Sequence, residues 1–466
     1  MRKIRSLAAL FFGLFFLGAT ASAFAGSAAN PDTSALPFLR VQGDKIVTES
    51  GQTVLLRGFQ GFGFYPLSKE MYLKAVWDRG ADPYSFDKYA VDLRRYILTD
   101  FDVQEIKSTK ANAVRLWFNL HEIQKEPFRY SQVSLDLLED TVNHFGRNGI
   151  YVILVLGGTG QNDYPDSAIY TERGLSLWDK SNGLWEQTIA LWGTLAERFK
   201  DNPAIAGFDI INEPQSPTKE ALHDYYEDAI QAIRQHDRKH ILFLSVAEKN
   251  EHTYQLGGHY DDPNIAATFH YYFPHDFTLE PDKPGMSYPG YYNFCPPDTA
   301  RSACSKQYWT RETLEQIFKT ALALEELKGK PIFIGEFGAD ARRDSQGGLQ
   351  WIADVTAIMN ANHLHYTMHN YKHRFFQGYW IMKPETKREM ARILSGLADG
   401  TLTYEDISEE QKEALSTEKG HSRREGIKEL LISAFGAGSG EDSGGQNPTH
   451  PRRDRLRRFW KKIQGH

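Results

Sequence analysis

The feature that most constrains the fold is a regular alternation of short apolar runs with long amphipathic ones. Eight of the short runs are rich in β-branched and aromatic residues and are apolar almost throughout, which is typical of parallel strands covered on both faces. The amphipathic runs between them have helical periodicity, and several end at a glycine, a common helix C-cap. Eight strands that alternate with helices predict an α/β fold, a (β/α)8 TIM barrel. The predicted strands cover 54–59, 113–118, 151–156, 205–211, 241–246, 265–272, 332–337 and 365–371.

An open, doubly wound sheet is the alternative fold, and a glycine-rich phosphate-binding turn after the first strand would favour it. The segment RGFQGFGF at 57–64 contains glycines but lacks the GxGxxG spacing. Eight countable strands therefore favour closure into a barrel. The chain has 466 residues, of which 41% are hydrophobic, and this is enough to bury the core of one large barrel.

Both ends of the chain differ from the part that is predicted to form the barrel. Residues 1–25 combine a basic start, an apolar stretch and small residues at candidate cleavage sites, as in a secretory signal peptide. We therefore expect a secreted or periplasmic protein whose mature chain begins near Gly26. The predicted order is a signal peptide at 1–25, a single catalytic barrel domain at 36–400, a C-terminal helical extension at 401–435, a flexible linker at 436–451 and a basic amphipathic tail at 452–466.

The tail at 452–466 has one apolar stripe surrounded by seven lysines and arginines. Such a helix can lie on an anionic membrane or polymer surface, and a solubilising or partly disordered tail is the alternative. The net charge of the whole chain is −6, which argues against a nucleic-acid partner. A monomer is the default expectation.

The two cysteines, Cys295 and Cys304, are close together in the sequence. In an oxidising compartment this short separation predicts a disulfide that closes a loop. A metal site would need histidine or carboxylate ligands at a suitable spacing, and the segment offers none. We expect neither a metal nor an organic cofactor.

Polar side chains cluster where the predicted strands end, which is where barrel enzymes place their active sites. A buried charge is costly unless it is paired, so two glutamates and an arginine on buried strands need an explanation. A pair of carboxylates across the barrel mouth suits cleavage of a glycosidic bond, because one can protonate the leaving oxygen while the other attacks the anomeric carbon. The candidates are Arg115 on the second strand, Asn212 and Glu213 after the fourth, His270 and Tyr272 on the sixth, Glu336 on the seventh and His369 on the eighth.

Four strands carry the segments NAVRLWF, FDIINEP, ATFHYY and PIFIGEFG, in this order. In these segments the chain resembles glycoside hydrolase family 5, the cellulase-type retaining β-glycosidases, over about residues 36–397. The resemblance implies that Glu213 is the general acid/base and that Glu336 is the nucleophile.

The resemblance also implies supporting roles around the nucleophile. Arg115 and Tyr272 would bond to Glu336 and keep it ionised. Asn212 would bind the 2-hydroxyl of the sugar at the cleavage point, and His270 would support the same wall. The alternative is that Arg115 is only a barrel ion pair and that His270 and Tyr272 are core residues.

Two positions depart from the family pattern. Family members often carry a histidine after the third strand, where this chain has Gly157 and Gly158, and the glycines leave that wall bare. They often carry a sugar-stacking tryptophan after the eighth strand, where His369 stands instead. Both departures affect the choice of substrate rather than hydrolysis. Further stacking candidates, each more typical of a core residue, are Trp117, Trp178, Trp380 and Tyr371.

We therefore expect a secreted retaining β-glycosidase that acts on a carbohydrate substrate, foremost β-1,4-glucan as for an endoglucanase. A β-mannan and a glycolipid headgroup are alternatives, and the basic tail favours the glycolipid. Transglycosylation would use the same residues, and the sequence distinguishes neither this reaction from hydrolysis nor exo from endo action. A protein of another class, which binds carbohydrate or a host without catalysis, would keep the fold, but the complete set of polar residues argues against it.

Overall fold

The structure is a computed structural model that describes residues 36–63, 98–158, 177–250, 253–294, 305–372, 378–399, 401–403, 406–416 and 418–437. Eight parallel strands form a closed barrel, which confirms the predicted fold. Each strand pairs with the next along the chain, and the last pairs with the first. The strands are β1 (Arg57–Gly63), β2 (Ala113–Asn119), β3 (Tyr151–Gly158), β4 (Ile205–Asp209), β5 (Ile241–Ser245), β6 (Ile265–Tyr271), β7 (Ile332–Phe337) and β8 (His365–His369).

Seven of these strands begin at the predicted residue, and β1 begins later than predicted. The reason lies in the residues just before β1. The amide of Val54 donates to the carbonyl of Ile46 at 2.9 Å, so the apolar run starts in a layer below the barrel and enters the barrel only at Arg57. A continuous apolar run therefore contains two structural elements.

Helices cover the outside of the barrel. Between β5 and β6 the described chain forms a short antiparallel pair of strands, Ala247–Asn250 and Thr253–Gln255, in the place of a helix. The longer helices are α1 (Asp100–Ser108), α2 (Gln132–Arg147), α3 (Leu184–Phe199), α4 (Lys219–Arg234), α5 (Arg311–Leu322), α6 (Gly348–Ala361), α7 (Pro384–Asp399), α8 (Glu409–Ser416) and α9 (Ile427–Phe435). Short helical turns lie at Leu120–Ile123, Lys180–Asn182, His275–Thr278, Glu325–Leu327 and Ala341–Gln346.

Four further pairs of short antiparallel strands lie outside the barrel. They are Leu39–Gln42 with Lys45–Thr48, Gln124–Glu126 with Arg129–Tyr130, Gly290–Phe294 with Ser305–Trp309, and Trp380–Met382 with His421–Arg423.

Side-chain caps fix where several helices begin. Thr99, Ser131 and Thr218 precede α1, α2 and α4, and each accepts a hydrogen bond from a backbone amide in the first turn. At the start of α1 a reciprocal bond is present, because the Asp102 side chain accepts from the Thr99 amide at 2.9 Å. These bonds satisfy amides that have no partner within the helix.

The lower half of the barrel interior is apolar and closed. A hairpin from the residues before β1 covers it, and Leu39 and Ile46 of this hairpin pack with the interior side chains of the strands. Those interior side chains include Ala113, Tyr151, Ile153, Ala206, Ile241, Phe243, Ala266 and Phe333. Among the described residues, the polar network around Arg115 lies in the other half, so the carboxyl ends of the strands form the mouth.

Helix α9 covers β8 and β1 from the outside. Phe435 packs edge-on against Phe59 with ring centroids 5.4 Å apart, and the Tyr366 hydroxyl donates to the carbonyl of Ala434 at 3.1 Å. Arg57 donates to the same carbonyl at 3.4 Å, at the helix C-terminus, where a cation is favourable. The segment predicted as a helical extension therefore contains the outer helix that covers the last barrel strand.

Helices α7 and α8 form an insertion between β8 and α9. Glu105 of α1 ties the end of this insertion to the barrel by accepting from Tyr379 at 2.6 Å, Arg423 at 2.8 Å and Lys428 at 2.8 Å. Burial raises the pKa of Glu105, but the three donors outweigh it and lower the pKa to about 2. This carboxylate is therefore ionised and paired.

Several predictions concern residues outside the described part of the chain. They are the signal peptide at 1–25, the disulfide between Cys295 and Cys304, the linker beyond Ala437 and the tail at 452–466. Among the described residues, no helix combines the length and the apolar character that crossing a membrane requires.

Candidate active site

Arg115 of β2 lies at the centre of the polar upper half of the barrel and has no exposed surface. Its guanidinium donates to Asp209 at 2.8 Å, to Glu336 at 3.0 Å and to the side-chain carbonyl of Asn212 at 2.9 Å. Burial alone would lower the pKa of Arg115, but the charges of Asp209 and Glu336 outweigh it and raise the pKa. Arg115 therefore stays charged and links β2 to the ends of β4 and β7 in one network.

Glu336 of β7 is almost fully buried, with 6% of its side chain exposed. Oε1 accepts from Arg115, Oε2 accepts from the Tyr272 hydroxyl at 2.7 Å, and the Nδ1 atoms of His270 and His369 lie 3.8 and 3.6 Å from Oε2. Burial raises the pKa of Glu336, but His270, His369, Arg115 and the Tyr272 hydrogen bond outweigh it and hold the pKa well below its usual range. The result is an ionised carboxylate shielded from water, which is what a nucleophile requires.

Glu213 follows the end of β4 and has a different environment. Its backbone φ of 43° is in the left-handed region, which is uncommon for a residue with a side chain and clusters at functional sites. Its carboxylate is 39% exposed, and Oε1 lies 2.5 Å from Nδ1 of His270. The Glu213 carboxylate is therefore accessible to solvent and to a substrate at the mouth.

The separation of the two carboxylates is short. An oxygen of Glu213 lies within 4.8 Å of an oxygen of Glu336. Retaining glycosidases hold their two carboxyl groups about 5–5.5 Å apart, whereas inverting enzymes leave about 6.5–9.5 Å for a water molecule. The geometry therefore supports direct attack by one carboxylate rather than by water.

His270 of β6 connects the two carboxylates. Burial would lower the pKa of His270, but the charges of Glu336 and Glu213 outweigh it and raise the pKa. The imidazole of His270 lies between the two carboxylates and contacts that of Glu213. Its Nε2 atom is buried and has no hydrogen-bond partner among the described residues.

His369 of β8 lies on the other side of Glu336. Its Nδ1 contacts the side-chain carbonyl of Gln60 on β1, and because that oxygen can only accept, Nδ1 carries the proton. Burial lowers the pKa of His369, although the charge of Glu336 acts in the opposite direction. This wall of the site is therefore a polar pair that spans β1 and β8.

The structure brings together all seven polar residues that the sequence nominates, and it adds Asp209 and Gln60. Asp209 orients Arg115 from below, and Gln60 fixes the proton on His369. The sequence does contain a signal for both, because each is a lone polar residue in an apolar segment, GFDII and GFQGF.

The expectation that Gly157 and Gly158 leave a bare wall is wrong for Gly157. A Cβ at Gly157 would lie 2.8 Å from Cε3 of Trp117, so the indole of Trp117 occupies the space that the glycine leaves. Of the other stacking candidates, Tyr371 and Trp380 are core residues, and Trp178 packs against Trp185 on the outside of the barrel.

Glu213, His270 and Glu336 also form a group whose ligand atoms could surround a metal ion, since the atoms lie within 4.8 Å of one another. However, Arg115 already supplies positive charge 3.0 Å from the Glu336 carboxylate. The arrangement fits a pair of carboxylates working with a fixed cation better than it fits a metal centre.

Comparison with known proteins agrees with this geometry. The family model described as "Cellulase (glycosyl hydrolase family 5)" matches residues 85–374, which is more than half of the chain. The chain belongs to glycosyl hydrolase family 5, and it is a glycoside hydrolase of the retaining type.

The relatives and the solved structures include enzymes of several printed specificities. A β-xylosidase of Phanerodontia chrysosporium is 26% identical over 374 residues, which cover 74% of this chain and 72% of that protein. An endoglucanase of Paenibacillus polymyxa is 24% identical over 371 residues, which cover 75% of this chain and 80% of that protein. The crystal structure of an endogalactoceramidase matches with a TM-score of 0.55 and 19% identity over 85% of each chain; this match is a likeness of fold.

Proposed function

We propose that this protein hydrolyses β-1,4-glucan by double displacement, with Glu336 as the nucleophile and Glu213 as the general acid/base. The observation that supports the assignment is the contrast between two carboxylates within 4.8 Å of each other. Glu336 is buried, ionised and held by Arg115 and Tyr272, whereas Glu213 is exposed and paired with His270. A nucleophile must be ionised at rest, and an acid/base must exchange protons.

The first step forms a glycosyl–enzyme ester. A Glu336 oxygen attacks the anomeric carbon from the α face, the glycosidic C–O bond breaks, and Glu213 gives its proton to the leaving oxygen. In the second step Glu213 takes a proton from water, whose oxygen attacks the same carbon and displaces Glu336. Two inversions leave the β configuration, and both glutamates return to their starting states.

The surrounding residues act on charge and position. Arg115 and Tyr272 keep Glu336 ionised and aimed at the anomeric carbon. Asn212 is held by Arg115 at 2.9 Å, and we assign to it the 2-hydroxyl of the sugar at the cleavage point. His270 holds the Glu213 carboxylate in position.

The choice of β-1,4-glucan is supported by the endoglucanase and β-xylosidase names among the relatives. Both names refer to β-linked sugars whose ring hydroxyls are equatorial. A transglycosylation reaction on the same ester, with a sugar in the place of water, would use the same side chains.

The experiment is sugar release from β-glucan, β-mannan, xylan and glucosyl-lipid, with parallel assays on an activated aryl β-glucoside. Wild type is compared with Glu336→Gly and Glu213→Gly, with and without azide. Azide should restore Glu336→Gly through one displacement, which gives the α-glycosyl azide. It should restore Glu213→Gly through two displacements, which gives the β-glycosyl azide.

The two azide products assign each glutamate its role, so a β product from Glu336→Gly would overturn the assignment. Glu325→Gly is the matched control, because Glu325 is 84% exposed in a turn before β7, at the opposite end of the barrel. Absence of sugar release by the folded wild type on every substrate would favour a carbohydrate-binding protein without catalysis.

A second candidate substrate, a glycosyl-lipid, is favoured by one surface feature. Tyr291 and Tyr308 face each other on the hairpin that follows β6, with ring centroids 4.9 Å apart and exposures of 62% and 51%. Paired exposed aromatic rings suit the boundary between lipid and water. The basic tail at 452–466 would add attraction to an anionic surface.

We further propose that the chain is exported through the signal peptide at 1–25 and that Cys295 and Cys304 form a disulfide. The hairpin register supports the disulfide, because Phe294 and Ser305, the neighbours of the two cysteines, are paired across the strands. Mass spectrometry of the exported protein, with and without reduction, tests the start of the chain and the disulfide together.

A further inference from the structure

Trp117 is the next interior residue above Arg115 on β2. Side chains on a strand alternate between its two faces, and on β2 Leu116 and Phe118 belong to the outer core while Ala113 belongs to the barrel interior. Arg115 and Trp117 share the interior face with Ala113. Trp117 therefore lies one layer closer to the mouth than the Arg115 network.

Gly157 makes room for the indole of Trp117. Trp117 pairs in register with Val155 of β3, and Gly157 is the next position on the same face of that strand. A Cβ at Gly157 would lie 2.8 Å from Cε3 and 3.0 Å from Cδ2 of the indole. Any larger residue at this position would push the ring away, so the two positions act as one unit.

The indole also has an unused hydrogen-bond donor. Trp185, Trp192 and Trp351 each donate their ring N–H to a side chain or a carbonyl, whereas Trp309 and Trp380, like Trp117, have a buried N–H without a partner among the described residues. The N–H of Trp117 is buried and has no partner among the described residues, although the residue as a whole is partly exposed. The exposed surface of Trp117 therefore lies on atoms other than this donor.

We propose that Trp117 is the surface on which the sugar at the cleavage point stacks. This inference rests on the proposed glycosidase function and narrows its substrate. Stacking needs a ring face that presents only C–H groups. Both faces of a β-gluco or β-xylo ring meet this condition, whereas the axial 2-hydroxyl of mannose and the axial 4-hydroxyl of galactose project from the β face. Glu336 approaches the anomeric carbon from the α face, and β2 lies across the barrel from β7, so Trp117 meets the β face. Trp117 therefore selects gluco- and xylo-configured β-glycosides.

The test compares wild type with Trp117→Ala, Trp117→Phe and Gly157→Ala on 4-nitrophenyl β-glucoside, β-xyloside, β-mannoside and β-galactoside. One leaving group throughout keeps the chemistry constant. Trp117→Ala should lower kcat/KM for the glucoside and xyloside at least about 20-fold, mainly through KM, because stacking acts on ground and transition states alike. Gly157→Ala should also lower kcat/KM for the glucoside and the xyloside. Trp117→Phe should keep most of the activity.

Trp178→Phe is the matched control, because Trp178 packs outside the barrel, and it should leave all four rates unchanged. Unchanged KM values for the glucoside and xyloside in both Trp117→Ala and Gly157→Ala would overturn the inference. A wild-type preference for the mannoside or galactoside would overturn its substrate class. Urea unfolding of each variant identifies losses that come from misfolding, and Trp117→Phe and Gly157→Ala carry the test if Trp117→Ala does not fold.

A binding measurement separates this inference from the proposed function. Calorimetry with cellotriose is run on Glu213→Gln and on Glu213→Gln with Trp117→Ala. The second protein should bind at least about 10-fold more weakly, which corresponds to about 1.4 kcal/mol. If the wild type cleaves no glycoside but this difference appears, the proposed hydrolysis fails and the stacking surface stands. Equal affinities, or no binding by either protein, would reject the stacking surface.

Discussion

The Tyr272 hydroxyl donates a hydrogen bond of 2.7 Å to Glu336, and we expect this bond to help keep the nucleophile ionised. Tyr272→Phe removes the donor and should raise the pKa of Glu336. A hydrogen bond to a charged group contributes about 1.5–3 kcal/mol, so the acid limb of kcat/KM should move to higher pH by roughly one to two units. The measurement is the pH–rate profile on an aryl β-glucoside.

The same variant should change stability in a pH-dependent way. Because the pKa of Glu336 is lowered in the folded state, its ionisation stabilises the fold above the unfolded pKa of about 4.3 and stops doing so as pH falls through the folded pKa. Tyr272→Phe should therefore be less stable than wild type at pH 7, and the difference should shrink below pH 4.

Tyr271→Phe is the control, since the Tyr271 hydroxyl is buried and has no partner among the described residues. An acid limb that moves equally in both variants would contradict the assignment.

Asp209 is expected to contribute to both stability and rate. It has no exposed surface and accepts from Arg115 at 2.8 Å. Asp209→Asn keeps the shape but leaves the Arg115 cation with one fewer buried counter-charge, so unfolding in urea should cost about 3–5 kcal/mol less. The rate constant kcat should fall more than KM rises, because Arg115 orients the nucleophile. Asp201→Asn, in an exposed pair with Lys239, should leave both stability and kcat nearly unchanged.

The positions of the acidic residues could be predicted because the carboxyl ends of parallel strands meet at one mouth. The sequence therefore placed Glu213 and Glu336 together without any knowledge of register. The contact between Trp117 and Gly157 could not be predicted in this way, because it depends on which residues of β2 and β3 lie side by side. Without that register a glycine indicates only a missing side chain, and not which neighbour fills the space.

Arg424 joins the insertion after β8 to the segment that follows the nucleophile strand. It is buried, pairs with Asp344 at 2.8 Å and donates to the carbonyl of Ala339 at 2.8 Å. Asp344 lies in the helical turn after β7, which carries Glu336. Arg424→Ala leaves a largely buried carboxylate unpaired, so we expect a loss of about 3–5 kcal/mol in unfolding free energy and a lower kcat.

The control for Arg424 is Arg392→Ala, because Arg392 forms an exposed pair with Glu389 on α7. That change should leave both the unfolding free energy and kcat nearly unaltered, because an exposed ion pair contributes little. Similar effects of the two substitutions would mean that the segment after β7 is held without the insertion.

The helical character of α9 is evident in the sequence, but its place in the barrel is not. Periodicity shows that α9 has an apolar face, and several buried residues on that face confirm it. Periodicity does not show what the face covers, and the insertion separates α9 from β8 in sequence. The change to a more charged composition after residue 400 therefore resembles a domain boundary, although the chain returns to the barrel at α9.

The stability of the whole barrel should depend on the packing of α9 against it. A chain that ends at residue 437 keeps α9 and loses only residues outside the described part, so it should unfold cooperatively and hydrolyse soluble aryl glycosides like the full chain. A chain that ends at residue 400 loses the cover over Phe59 and Tyr366, and Glu105 loses Arg423 and Lys428. Exposed apolar surface and an unpaired carboxylate should make it aggregate.

Thermal unfolding and light scattering compare the three chains, and sedimentation with vesicles that contain anionic lipid tests the tail in the same samples. Only the full chain should bind the vesicles, and added salt should release it, because attraction between the basic tail and the surface is screened. A soluble, cooperative and active chain that ends at residue 400 would show that the barrel closes without α9. Vesicle binding by the chain that ends at 437 would instead place the lipid contact on the barrel, where the exposed pair of Tyr291 and Tyr308 would be the first residues to substitute.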